Sequence, residues 1–173
     1  QTLAALGRER PTRFVAFCPD AEYGPAKRWP AAHFATLARS LGERGYHIGL
    51  FGSPKDRAVA DEICALAPGL CDNLCGATSL AQAIDLLAMA DLVVCNDSGL
   101  MHVAAALDRP IVALYGSSSP GFTPPLSDQA DILSLHLECS PCFKRECPLG
   151  HLDCLNKLSP EQVLAACLKR SAP

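Results

Sequence analysis

Short apolar runs alternate with segments whose apolar residues recur at helical spacing along almost the whole chain. The apolar runs predict strands over residues 13–18, 46–51, 72–74, 91–95, 110–115 and 131–135. The segments between them predict helices over residues 31–43, 55–66, 79–90, 98–107 and 159–168. Strands that are apolar at successive positions, separated by helices of about ten residues, are typical of a parallel sheet covered on both faces. We therefore predict one three-layer α/β domain with a mainly parallel sheet.

Two of the predicted helices begin at residues with a strong local preference for helix starts. Ser79 is followed three residues later by Gln82, the spacing at which each side chain can bond the other residue's backbone N–H. Pro160 occupies the first turn of the closing helix. Proline is favoured there because it has no backbone N–H, and N–H groups in the first turn make no hydrogen bond within the helix. These signals place the helix starts near residues 79 and 159.

The composition indicates a packed globular protein. Of the 173 residues, 49% are hydrophobic and 19% are charged, which is the opposite of the balance in disordered chains. The formal charge is -3 at pH 7 and no basic cluster is present, which argues against nucleic-acid binding. No apolar run reaches the roughly 18 residues that span a bilayer. The opening stretch QTLAALGRERPTR also lacks the apolar segment of a signal peptide, so we expect a cytoplasmic protein.

Polar and glycine-rich segments follow four of the predicted strands. They read CPDAEYGPAKRWP, FGSPKD, CNDSGLMH and YGSSSPGFTPP in chain order. Ligands of open parallel sheets bind beyond the carboxyl ends of the strands. The four segments therefore predict one binding site at that edge of the sheet.

The turn CNDSGLMHVAAAL carries several candidate binding residues. A helix that follows a buried strand directly points its free N–H groups and its positive dipole end at the binding edge. Asp97, Ser98 and Gly99 form that turn, and His102 lies one helical turn further on. An equally strong interpretation is that Asp97 only caps the helix and that His102 packs under a loop.

The segment after the first strand contains a dibasic step, Lys27 and Arg28. A lysine at the carboxyl end of a strand can serve as a point charge for a diphosphate. The alternative is that both side chains form a solvated surface pair. Trp29 and Pro30 follow and would anchor the loop against the next helix.

Several common nucleotide motifs are missing from the chain. No GxGxxG follows the first strand, so a hydride-transfer cofactor is not expected. The chain also lacks the GxxxxGK[ST] phosphate loop and the GxSxG nucleophile turn. The polar segments after the strands therefore do not match any of these three motifs, and we expect them to form a different kind of binding site.

Four of these segments together resemble a known enzyme family. PDAEYGPAKRWP, LFGSPKD, NDSGLMHVAAALDRPIVALYGSSSP and FTPPLS are similar to the C-terminal domain of ADP-heptose:lipopolysaccharide heptosyltransferases, in particular the heptosyltransferase II type, which form glycosyltransferase family 9. The similarity covers about residues 13–168.

The resemblance implies a GT-B glycosyltransferase, in which two Rossmann-like domains face each other across a cleft. Residues 13–173 would be the donor-binding domain and residues 1–12 the remnant of a linker. The implied reaction transfers heptose from ADP-heptose to the lipopolysaccharide inner core with inversion and needs no other cofactor. The resemblance also implies a place in the cytoplasm, either free or peripheral to the inner face of the inner membrane. The acceptor half and the catalytic base would be missing, so the isolated chain would transfer little or nothing.

The resemblance also suggests roles for individual residues. Lys27 matches the lysine that contacts the donor diphosphate. Asp97, Ser98 and Gly99 match the turn that holds the phosphates and the sugar, and His102 matches the histidine beside them.

Two further carboxylates belong to the same segments. Asp56, after the second strand, is a candidate for contact with the ribose or adenine, although an acidic residue also favours a helix start there. Asp20 stands where the family usually has glycine, and a carboxylate near a diphosphate is unfavourable unless it points away.

Four of the ten cysteines form a separate cluster. Cys139, Cys142, Cys147 and Cys154 have the spacing C-x2-C-x4-C-x6-C, with His151 between the last two. Such thiols can close a zinc site, form two disulfides or stay reduced, and we do not favour zinc. The other six cysteines are mostly surrounded by apolar residues, where a thiol acts as a small hydrophobic group.

Two alternatives to the donor-binding domain stay open at this point. One is another GT-B nucleotide-sugar transferase or an epimerase-like domain, which would share the fold. The other is a non-catalytic interaction domain stabilised by a metal at the cysteine cluster. Neither the nucleotide base nor the acceptor sugar follows from the residues.

Overall fold

A computed structural model describes residues 2–5, 7, 9 and 11–171, and this part of the chain contains six strands and seven α-helices. The strands are β1 Phe14–Cys18, β2 His47–Leu50, β3 Cys71–Asn73, β4 Leu92–Asn96, β5 Ile111–Leu114 and β6 Ala130–Leu133. The helices are α1 Thr2–Ala5, α2 Ala31–Gly42, α3 Arg57–Leu66, α4 Leu80–Leu87, α5 Gly99–Ala106, α6 Asp153–Asn156 and α7 Pro160–Arg170. In this described part of the chain, no helix has both the length and the apolar character needed to cross a membrane.

The strands form one sheet in the order β3-β2-β1-β4-β5-β6, and all five pairings are parallel. This is the strand order of doubly wound, Rossmann-like sheets, in which the direction of winding reverses between the two central strands. Here the reversal falls between β1 and β4, which pair from Val15 with Leu92 to Cys18 with Cys95. The predicted three-layer α/β fold with a mainly parallel sheet is confirmed.

Each face of the sheet carries its own apolar core. Val15 and Phe17 of β1 enter the core that is covered by α2, α3 and α7. Ala16 and Cys18 of the same strand enter the core that is covered by α4 and α5. Because successive side chains of a strand point to opposite faces, burial on both sides requires the unbroken apolar runs seen in the sequence.

The helix starts form as predicted. Ser79 Oγ accepts from Gln82 N at 3.2 Å while Gln82 Oε1 accepts from Ser79 N at 2.9 Å. The same pair of bonds joins Ser159 and Gln162 at the start of α7, where Pro160 occupies the first turn. Local side-chain chemistry therefore sets where these two helices begin.

Residues 1–12, predicted to be a linker remnant, lie partly outside the described residues. Within that segment Thr2–Ala5 forms α1. Leu3 of this helix is partly buried and packs against the core on the α4 and α5 face.

Asn96, the last residue of β4, ties the loop after β1 to the sheet. Its side chain is fully buried, and its Nδ2 donates to the backbone oxygens of Pro19 and Asp20 at 3.1 and 3.2 Å. Its Oδ1 accepts from Trp29 N at 3.2 Å. Trp29 is buried in turn, and its indole Nε1 donates to Leu158 O at 2.9 Å. The two ends of the loop are therefore held at the point where the winding reverses.

We expect Asn96→Ala to lower the free energy of unfolding by roughly 2–4 kcal/mol, because the change leaves several buried backbone groups without a partner. Urea unfolding of the two proteins measures the difference. Asn156→Ala is the matched control, because the exposed Asn156 amide makes one bond, to His151 O, and its loss should cost less than about 1 kcal/mol. Equal losses in the two variants would contradict the anchoring role of Asn96.

Candidate functional site

A cleft of about 750 Å³ lies at the carboxyl ends of the strands. Its walls come from the segments after β1, β2, β3, β4 and β5. All six residues predicted to bind the donor line it: Lys27, Asp56, Asp97, Ser98, Gly99 and His102. The structure thus brings together residues that are up to 75 positions apart in the chain.

A second cavity, of about 220 Å³, lies by the amino ends of the central strands, against Phe14 and His47. Its lining is mainly apolar and includes Leu3, Leu74 and Leu86. Ligands of doubly wound sheets bind at the opposite, carboxyl edge. The larger cleft is therefore the candidate site.

An ion pair bridges the cleft between the segments after β1 and β4. Lys27 Nζ lies 2.8 Å from Asp97 Oδ2, and the same oxygen accepts from Thr123 Oγ1 at 3.0 Å. The ammonium also lies 5.0 Å from the centre of the Tyr23 ring, within range of a cation–π contact. Lys27 is only 17% exposed, so its charge is fixed in place at the cleft wall.

The head of α5 faces the same space. Ser98 is the N-cap residue, with extended backbone and no side-chain cap bond. The first-turn N–H groups of a helix have no partner within the helix, so they are available to an anion. A Cβ added at Gly99 would meet no described atom within 4 Å, so the space beyond the backbone is open.

The interpretation of Asp97 as a simple N-cap is wrong. Ser98 holds the cap position, and the Asp97 carboxylate bonds Lys27 and Thr123 instead. His102 is exposed on the cleft side of α5, rather than packed under a loop.

The solvated-pair interpretation of the dibasic step is also wrong. Lys27 turns to Asp97, whereas Arg28 Nη2 lies 3.8 Å from Asp56 Oδ1. Asp56 is buried, and its Oδ2 accepts from Ser53 N at 2.8 Å and from Ser53 Oγ at 2.7 Å. Asp56 thus orders the turn after β2, and the preference for a helix start is also met because α3 follows it.

Asp20 lies in the cleft wall with an unusual electrostatic environment. Burial raises its pKa to about 7, the nearby Asp56 carboxylate adds to the rise, and the Ser98 hydroxyl acts in the opposite direction. Asp20 Oδ1 is buried and has no hydrogen-bond partner among the described residues. The carboxyl group that replaces the expected glycine is therefore largely uncharged below neutral pH, which reduces its conflict with a bound phosphate.

We expect Asp20→Asn to remove a pH dependence of stability. The unfolded carboxyl ionises near pH 4 and the folded one near pH 7. The folded state therefore binds more protons between these values, and its free energy of unfolding falls by roughly 1.4 kcal/mol per pH unit as the pH rises through this window. Urea unfolding at pH 5 and pH 8 tests this.

The amide variant should be more stable than the parent at pH 8, by an amount that shrinks toward pH 4. Glu62→Gln, an exposed change on α3, should leave the pH dependence intact. Parallel pH profiles for Asp20→Asn and the parent would show that Asp20 ionises normally.

Two contributors to the site were not predicted as site residues. Asn96 and Thr123 both lie in segments noted for their polar character, NDSGLMH and FTPPLS, but neither residue type is specific for a role. Only their contacts, to the β1 loop and to Asp97, show what they do.

The cysteine cluster forms away from the cleft. Cys139, Cys142, Cys147 and Cys154 line one small cavity with His151, and all ten cysteines of the chain are free thiols. Backbone N–H groups, first that of Leu152, lower the pKa of Cys147. In the part of the chain that the structure describes, no three His, Cys, Asp or Glu side chains are arranged to hold a metal ion, so zinc gains no support.

The fold and the cleft define the class of protein: a Rossmann-like domain with an open cleft at the point where the winding reverses. Comparison with known proteins narrows this class. The sequence model of the family described as "Glycosyltransferase family 9 (heptosyltransferase)" matches residues 1–153. The chain therefore belongs to glycosyltransferase family 9.

Individual relatives agree with this assignment. The chain is 49% identical over 164 residues to lipopolysaccharide heptosyltransferase 2 of Salmonella typhimurium, which covers 92% of this chain and 47% of the relative. The solved structure of E. coli ADP-heptose lps heptosyltransferase II superposes with a TM-score of 0.87 and 43% identity, over 98% of this chain and 50% of that one.

A structure of the E. coli heptosyltransferase WaaC with ADP matches with a TM-score of 0.68 and 25% identity, over 92% and 44% of the two chains. In each of these comparisons, the chain spans about half the length of the relative that it matches.

Proposed function

We propose that this chain is the donor-binding part of a glycosyltransferase that moves heptose from ADP-heptose to the lipopolysaccharide inner core with inversion. The observation that carries the proposal is that the Lys27 ammonium, held by Asp97, lines the same cleft as the start of α5. An ammonium and a helix head that face one open cleft form a site for a diphosphate. The relatives' names supply the heptose and the nucleotide.

The same groups suit the chemistry of the leaving group. As the bond between the sugar and the phosphate breaks, negative charge develops on the departing ADP. In the proposed complex, Lys27 and the N–H groups of α5 stabilise that charge, and the Asp97 contact holds Lys27 in place before the donor binds. Asp97 and Thr123 hold Lys27 in the required place, and Asp97 also offers acceptor oxygens to hydroxyl groups of the sugar.

The adenosine is proposed to lie over the end of β2. Asp56 lines the cleft there, on the opposite side of β1 from Asp97. In doubly wound folds an acidic residue at the end of the second strand bonds the ribose hydroxyls. His102, exposed on α5, would contact the phosphates or the sugar from the other wall.

We assign acceptor binding and proton removal to the part of the relatives that this chain does not span, about half of their length. In the proposed enzyme that half binds the acceptor and supplies the base that deprotonates its hydroxyl group. The inverting displacement then needs no covalent intermediate and no cofactor besides the donor. The proposed place of action is the cytoplasm, free or peripheral to the inner face of the inner membrane.

Calorimetry with ADP tests the diphosphate site. We expect Lys27→Ala to weaken ADP binding by tenfold or more, because a charge-assisted bond contributes roughly 1.5–3 kcal/mol. Lys55→Ala is the matched control: Lys55 is exposed beside the cleft but does not line it, so its loss should change the affinity less than about twofold. If the two variants weakened ADP binding equally, Lys27 would act only through general charge attraction and not through a specific contact with the diphosphate.

Competition among nucleotides tests the base. If the donor is ADP-heptose, ADP should displace a labelled ADP analogue at lower concentration than UDP or GDP does. Asp97→Asn should weaken the binding of the three nucleotides by the same factor, because Asp97 lies at the proposed phosphate and sugar end of the cleft. Tighter binding of UDP or GDP would favour a different nucleotide-sugar transferase.

A further inference from the structure

Three aromatic side chains are exposed at the rim of the cleft. Phe122 is 80% exposed, Phe143 45% and Tyr23 41%. The Phe122 and Phe143 rings meet edge to face with their centres 5.4 Å apart. Single exposed apolar residues are ordinary on protein surfaces, but three adjoining aromatic rings are typical of a binding surface.

The backbone holds this group of rings in a fixed arrangement. Phe143 has a φ of 57°, in the left-handed region that bulky residues rarely adopt. Its N–H donates to Ser117 O at 2.7 Å, and its carbonyl accepts from Tyr23 OH at 2.8 Å. Strained conformations of this kind persist only where the surroundings enforce them, and they concentrate at binding sites.

The rings line a pocket that shares part of its wall with the cleft at the carboxyl ends of the strands. It has a volume of about 330 Å³ and is lined by Tyr23, Lys27, Ser118, Phe122, Thr123 and Phe143. Tyr23, Lys27 and Thr123 line the cleft as well. Ser118 is 8% exposed, and its buried hydroxyl has no partner among the described residues. The volume lies within the range of small-molecule sites, roughly 300–1,000 Å³.

Positive charge adjoins the rings. The Arg145 guanidinium carbon lies 5.2 Å from the centre of the Tyr23 ring, and Lys27 Nζ lies 5.0 Å from the same centre. Arg145 is on the exposed loop that also carries Phe143. A ligand seated on the rings therefore lies near the Arg145 guanidinium, whereas the Lys27 charge is paired with Asp97.

We propose that this pocket, referred to below as the aromatic pocket, binds a pyranose ring of an acidic acceptor saccharide. The C–H faces of a pyranose pack on aromatic rings, its hydroxyl groups match Ser118 and Thr123, and an acidic group would pair with Arg145. The neutral heptosyl group of the donor has no charge for Arg145, which favours the acceptor. The proposal rests on the proposed transferase function: the other half of the enzyme holds the acceptor, and the aromatic pocket adds a subsite on this chain for one of its rings, next to the diphosphate site.

Phe122→Ala is the main test variant, because so exposed a ring contributes little to folding. Leu126→Ala is the matched control: Leu126 is 84% exposed in the same segment but does not line the pocket. Calorimetry is carried out with ADP, with ADP-heptose, and with an acyl-free inner-core oligosaccharide ending in heptose, added to the ADP-bound protein. Phe122→Tyr, which keeps the aromatic face, serves as the rescue variant.

We expect Phe122→Ala to weaken oligosaccharide binding by roughly tenfold and to leave the affinities for ADP and ADP-heptose unchanged. Phe122→Tyr should restore the affinity, and Leu126→Ala should have no effect. Arg145→Ala should weaken the oligosaccharide most at low salt, because exposed charges are screened at high salt.

Other outcomes separate the two proposals. Loss of affinity for ADP-heptose alone would assign the pocket to the donor sugar and overturn the acceptor assignment. Unchanged saccharide binding in Phe122→Ala, or a change only in its association state, would also overturn it while ADP binding still supports the transferase. Absence of ADP binding in the parent protein would instead contradict the proposed function itself.

Discussion

The buried amide of Asn96 is the contact on which the site depends. It joins the end of β4 to both ends of the segment that leads from β1 to Trp29. The segments that follow β1 and β4 lead away to opposite sides of the sheet at this point. Without the Asn96 contacts, the position of the loop that carries Lys27 relative to α5 would not be fixed. A neutral amide suits this role, because it donates and accepts at once and needs no counter-charge in a buried position.

Burial of both faces of the sheet explains why the polar groups gather at one edge. The two apolar cores leave no room for charged groups along the central strands β1, β4 and β5. Lys27, Asp56 and Asp97 therefore lie where the strands end, and each is paired so that its partial burial is tolerated. Asp20 forms no ion pair with any other described residue, and burial raises its pKa to about 7 instead. Charge in the cleft is thus balanced partly by pairing and partly by protonation.

The cleft and the aromatic pocket share one wall. Tyr23, Lys27 and Thr123 face both spaces, so a diphosphate in the first and a saccharide in the second would be neighbours. The loop that follows β5 supplies Thr123 and Phe122, and the long segment before α6 supplies Phe143 and Arg145. In this arrangement, the proposed transfer would take place between two spaces lined by the same side chains.

The sequence by itself determined the elements, the parallel sheet and the segments that form the site, because apolar periodicity and helix-start residues act over a few positions. It also indicated Lys27, Asp97 and Ser98 by residue type and resemblance. Only the tertiary structure decided that Lys27 pairs with Asp97 rather than facing solvent, that Asn96 ties two segments together, and that Phe122 and Phe143 meet. These contacts join residues 21 to 77 positions apart, and no local pattern encodes which distant partner a polar or aromatic side chain will meet.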